Sequence, residues 1–80
     1  MRKSVTLVGV TLNYNEVGGN KVLLSMINTT DTTKRAELRG NELSLQPEER
    51  VDLEGATHKR VRFRVHNGMT WEESETTRRS

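Results

Sequence analysis

Charged and apolar side chains alternate without a break from Arg60 to Val65, the chain reaches Asn67-Gly68, and Met69-Thr70-Trp71 begin the pattern again. Alternation is the period of a half-buried strand, and Asn-Gly between two such runs predicts a hairpin with a two-residue turn. In that register His66 faces Met69, Val65 faces Thr70 and Arg64 faces Trp71. Val61, Phe63 and Val65 then line a core face with Thr70, while Arg60, Arg62, Arg64, His66, Met69 and Trp71 line the other.

The same reading, carried along the chain, predicts further strands. Ser4 to Asn15 is one, with Val8, Val10, Leu12 and Tyr14 on one side and Val5, Leu7, Gly9 and Thr11 on the other. Gly9 inside a strand signals a bulge or a close backbone contact. Glu16 to Asn20 is a glycine turn, and Lys21 to Asn28 is a strand with Val22, Leu24 and Met26 on one face and Leu23 and Ile27 on the other. Apolar residues on both faces place it centrally or under a covering layer.

Thr29 to Thr33 is a polar loop. Lys34 to Arg39 has helix-forming residues, but Ala36 and Leu38 have strand spacing, and a short strand is the reading adopted. Leu43 to Leu45 is another strand, Gln46 to Glu49 a turn with Pro47 at a favoured position, and Val51 to Glu54 a strand. Folding this last strand onto the next, with Leu53 opposite Val61, sets Glu54 against Arg60 and Asp52 against Arg62. Residues 1–72 are thus read as one β domain, and 73–80, which lack apolar side chains, as a mobile polar tail.

Six to seven short strands separated by turns predict an all-β fold, either a small antiparallel β-sandwich, immunoglobulin-like or jelly-roll-like, or a partly open β-barrel. A strand ending in Asn28-Thr29-Thr30-Asp31, with Leu45-Gln46-Pro47-Glu48-Glu49-Arg50-Val51-Asp52-Leu53 further on, resembles immunoglobulin-like sandwiches in general. That resemblance implies a fold and no function, and the Cys–Trp–Cys core of true immunoglobulin domains is missing.

Composition sharpens this picture. With 80 residues, 31% hydrophobic and no cysteine, the core is thin and no disulfide reinforces it. Such domains often gain stability from a partner or from self-association. A net charge of +2, from 13 basic and 11 acidic residues, is a modest excess for a nucleic-acid binder. His58 and His66 have no companions at metal-ligand spacing, and neither a nucleophile elbow nor a phosphate loop is present, so no enzyme, cofactor or small-molecule substrate is expected. Without a signal peptide or membrane-spanning run, the expected setting is cytoplasmic or virion-associated, and the Asn28-Thr29-Thr30 sequon is expected to be idle.

Two functions follow as expectations. The first is a non-enzymatic interaction or assembly module, such as a small virion component or an inhibitor docking on a larger protein. It would use Leu23 and Ile27 on one surface or Arg64, Met69 and Trp71 on another. The second is a nucleic-acid-binding β domain whose Arg60, Arg62, Arg64 and His66 meet phosphates while Trp71 stacks on a base, with Arg2, Lys3, Arg78 and Arg79 adding attraction.

Overall fold

The computed structural model describes residues 2–18, 21–55 and 60–77, with side chains at 4–15, 22–53 and 62–74. The described residues form eight strands: β1 Arg2–Leu7, β2 Val10–Gly18, β3 Lys21–Asn28, β4 Lys34–Leu38, β5 Asn41–Leu45, β6 Arg50–Gly55, β7 Arg60–His66 and β8 Trp71–Thr77. Two four-stranded antiparallel sheets, β1-β2-β3-β6 and β5-β4-β7-β8, pack face to face. The fold is a sandwich and not a barrel. The chain crosses between the two sheets after β3, after β5 and after β6.

The core follows the period-two pattern. Val10, Leu12 and Tyr14 of β2, Val22, Leu24 and Met26 of β3, Ala36 and Leu38 of β4, Leu45 of β5, and Phe63 and Val65 of β7 are all buried. Burying each large side chain contributes about 1.5–3 kcal/mol. β3 is central in its sheet, between β2 and β6, with Val22, Leu24 and Met26 in the core and Leu23 on the outer face partly exposed.

Three elements differ from the sequence reading. First, residues 4–15 are a hairpin and not one strand: Leu7 pairs with Val10 across a turn at Val8-Gly9. The refolding brings Val5 opposite Leu12, so the two apolar sets that seemed to face apart share one side. Both turn residues have positive φ, 49° at Val8 and 79° at Gly9, as a type I′ turn requires. Gly9 is also the close contact its position suggested, because its carbonyl accepts from Thr29 N at 2.9 Å and Thr29 Oγ1 at 2.6 Å, and a Cβ there would run into the Thr30 side chain.

Second, β6 does not pair with β7. It pairs with β3, Leu53 opposite Leu24 and Asp52 opposite Ser25. The chain crosses between sheets after β6, so the expected Asp52–Arg62 pair does not form; Asp52 pairs instead with Arg50 at 2.9 Å. The Glu54 and Arg60 side chains, and residues 56–59 including His58, lie outside the described residues.

Third, residues 73–77 belong to β8 and not to a tail, and 78–80 lie outside the described residues. Beyond Trp71, β8 has no apolar residue and needs none, because it is an edge strand paired with β7 from His66↔Trp71 to Arg60↔Thr77. Its glutamates also discourage pairing with another chain. The strand reading of 34–39 is correct, with β4 ending at Leu38 and turning at Arg39-Gly40.

One buried polar side chain ties the layers together. Asn28, fully buried at the end of β3, donates through Nδ2 to Thr32 O at 2.8 Å, Leu45 O at 3.1 Å and Gln46 O at 3.1 Å. Its Oδ1 accepts from Thr30 N at 2.9 Å and Thr30 Oγ1 at 2.6 Å. The sequon asparagine therefore has its carboxamide committed to internal bonds.

Two outcomes are expected in denaturant titrations. Asn28→Ala strands several buried backbone groups and should lower the unfolding free energy by about 3 kcal/mol; a loss below about 1 kcal/mol would show the network to be dispensable. Val8→Asn replaces a β-branched residue held at positive φ with one that tolerates it, and should raise stability by about 1 kcal/mol.

Candidate functional site

The outer face of the β5-β4-β7-β8 sheet gathers the chemistry. Alternation on β7 sends Phe63 and Val65 inward, which sends Arg62, Arg64 and His66 outward. Antiparallel pairing then fixes their neighbours. Arg64 lies between Glu37 of β4 and Glu73 of β8, and His66 lies opposite Trp71.

The predicted Asn-Gly turn is longer than two residues. His66 pairs with Trp71 and not with Met69, leaving Asn67 to Thr70 as a four-residue loop closed by Asn67 N donating to Thr70 O at 2.9 Å. Asn67 Oδ1 accepts from Met69 N and Thr70 N, both at 2.9 Å. The side chain thereby satisfies the backbone donors that a tighter turn would have paired. The register moves by two residues, and an even shift preserves sidedness, so Trp71 stays on the arginine face.

Trp71, half-buried, is the hub. The Arg64 guanidinium carbon lies 4.7 Å from its ring centroid and that of Arg35 lies 5.3 Å away. The His66 ring meets it edge-on at 5.1 Å and 83°. Each such cation–π contact is worth about 0.5–1 kcal/mol at an exposed site.

Every described arginine of this face has a carboxylate partner. Arg62 donates to Glu73 through two nitrogens at 3.0 and 3.1 Å. Arg35 pairs with Glu42 at 2.8 Å. Arg64 pairs with Glu37 at 3.2 Å and is the most shielded, with side chains 24% and 23% exposed. The Arg64 Nε–H is not aimed at an acceptor, so this contact is coulombic and not an aligned hydrogen bond. Glu73 is held below its ordinary value of 4.5, chiefly by the hydrogen bond from Arg62, with desolvation opposing and the charges of Arg62 and Arg64 assisting.

Sequence reasoning brought Arg62, Arg64, His66 and Trp71 to one face, as the structure does. Met69 sits at the loop tip beside them, 92% exposed, and the Arg60 side chain is outside the described residues. Leu23, 39% exposed, and Ile27 lie on the opposite side of the sandwich, on the outer face of β3. There Leu23 borders a shallow cleft of about 270 Å³ with Asn13, Asn15, Ser25 and Arg50. Arg35, Glu37, Glu42 and Glu73 were missed as members of the Trp71 face. Lys34–Leu38 carried the signal in its alternation, but nothing local indicates that β4 lies beside β7.

Among the described residues, no group of three or more His, Cys, Asp or Glu side chains could hold a metal ion, and no helix is long and apolar enough to cross a membrane. No family profile, curated protein or solved structure matches the chain.

Trp71→Ala should destabilise the fold by about 1–2 kcal/mol, through two lost guanidinium contacts and lost burial, as read by urea unfolding. The depressed Glu73 pKa has a signed consequence. Its stabilising contribution is present above pH 4.5 and lost as pH falls through the lower folded-state value. Glu73→Gln should thus be less stable than the parent at neutral pH, with the difference closing in acid. A gap that persists unchanged in acid would assign the effect to something other than this carboxylate.

Proposed function

We propose that this chain is a non-enzymatic protein-interaction module that docks through the outer face of the β5-β4-β7-β8 sheet. Trp71 serves as the anchor, Arg35 and Arg64 as its flanks and Met69 as an adaptable rim contact. The observation that carries this reading is the charge balance around Trp71. Arg35, Arg62 and Arg64 are matched by Glu42, Glu73 and Glu37. A polyanion gains affinity by replacing condensed counterions with free cationic groups, and here it would first have to displace carboxylates. A protein surface with both signs of charge can instead meet the ion pairs while burying the indole. Trp and Arg are the residues most enriched at interface hot spots, and exposed Met suits adaptable contacts.

Trp71 is the only tryptophan of the chain and reports on its own face. Its fluorescence should be unchanged when single- or double-stranded DNA or RNA is added at low salt. Wild-type protein immobilised by its terminus should retain a partner from its native source, or a second copy of itself, and Trp71→Ala should release it. Saturable quenching by oligonucleotide that salt reverses would overturn the proposal in favour of nucleic-acid binding.

A further inference from the structure

We propose that Asn67 is a site of self-catalysed modification, in which the folded hairpin loop converts its own asparagine through a succinimide to aspartate and isoaspartate. The chemistry is intramolecular: the Gly68 backbone nitrogen attacks the Asn67 side-chain carbonyl carbon, and ammonia leaves. It requires a base for the attacking N–H, donors for the oxygen that gains charge, and a setting that favours departure of the amine. The loop brings a group to each of these places.

The base is His66. Gly68 N donates to His66 Nδ1 at 3.1 Å, so the attacking N–H already points at an imidazole nitrogen that accepts it. The edge-on contact with Trp71 at 5.1 Å orients the ring, making Trp71 a positioning residue. The donors are Met69 N and Thr70 N, which already hydrogen-bond Asn67 Oδ1 at 2.9 Å and remain beside that oxygen as it gains charge. The leaving nitrogen, Asn67 Nδ2, donates to Glu72 Oε2 at 3.1 Å, which places a carboxylate beside the departing amine. Gly68 supplies two further conditions. Its φ of 99° is one that side-chain-bearing residues rarely adopt, and no Cβ blocks the approach.

The step balances without an outside reagent other than water. A bond forms between Gly68 N and Asn67 Cγ, the proton of that nitrogen passes to His66 Nδ1, and the carbonyl electron pair moves to Oδ1. On collapse the Cγ–Nδ2 bond breaks, the amine takes the proton back from the imidazolium and departs as ammonia, and a succinimide remains. Water opens either of its carbonyls, giving aspartate or isoaspartate. Aspartate sets a carboxylate beside Glu72 in place of a donor, whereas isoaspartate routes the main chain through the former side-chain carbonyl; either product adds a negative charge to the loop that carries Met69. The chemistry stands independently of the docking role proposed above, although modification would change the charge at the rim of that face.

The test is to incubate the purified full chain at neutral pH and follow ammonia loss by intact mass and peptide mapping, with isoaspartate detected by enzymatic methyl transfer. The reference is the same chain unfolded in guanidinium chloride. Native protein should react at Asn67 about tenfold or more faster than unfolded protein, a conservative figure against the roughly hundredfold or greater effect of a positioned general acid–base. His66→Phe, which keeps an aromatic ring against Trp71, should bring the native rate down to that of the unfolded chain. A native rate equal to or below the unfolded rate overturns the proposal, as does an unchanged rate in His66→Phe. The first comparison uses the wild-type chain alone and so holds whether or not the variant folds.

Discussion

The sandwich depends on the carboxamide of Asn28. Two sheets of short strands with a thin core have little to hold them in register beyond apolar contact, and apolar contact is non-directional. Asn28 supplies direction. It ends β3 in one sheet, and its Nδ2 reaches the carbonyl of Leu45, where β5 ends in the other. Through Oδ1 it holds Thr30, and Thr29 in turn holds the Gly9 carbonyl of the first hairpin. The crossover from β3 to β4 therefore leaves the first sheet at a fixed angle, and β4 arrives beside β7. A buried carboxamide is costly unless all its hydrogen-bonding groups are used, and here they are, so the arrangement is an all-or-none constraint.

The position of β4 in turn makes the Trp71 face. β7 alone offers a basic stripe, the feature that makes nucleic acid an attractive reading of the sequence. Once β4 and β8 flank it, Glu37 and Glu73 lie against Arg64 and Arg62, and Arg35 joins Arg64 over the indole. The stripe becomes a charge-balanced patch around one aromatic ring. Individually these pairs contribute little, because exposed ion pairs are worth about 0–1 kcal/mol. Their effect is on specificity: they decide which kinds of partner would gain by covering the face.

The hairpin loop shows how one side chain changes a local rule. Asn-Gly is expected to make a two-residue turn, yet the Asn67 carboxamide bonds Met69 N and Thr70 N and opens the loop to four residues. The two-residue turn with positive φ occurs instead at Val8-Gly9, where Gly9 suits the second position but the β-branched Val8 does not suit the first. What selects it is the need to put Val5 and Leu7 on the same side as Val10 and Leu12.

Alternation along the chain determined by itself that this is an all-β protein, which residues of β4 and β7 enter the core, and that Arg62, Arg64, His66 and Trp71 share a face, while for β3, apolar on both faces, the packed layers chose Val22, Leu24 and Met26. These properties depend on a period of two, which survives an even error in register. Apart from the hairpin at Asn67-Gly68, strand partners were settled only by the tertiary structure. Whether Val51–Leu53 lies beside Val61–Val65 or beside Val22–Met26 depends on how the layers close over Tyr14 and Phe63, and both choices satisfy the same local pattern. For the same reason the extension of β8 past Glu72 was hidden: a strand end held by its ladder to β7 and by Glu73 against Arg62 needs no apolar residue to mark it. Non-local pairing is a property of the packed sheets, and no short window of sequence contains it.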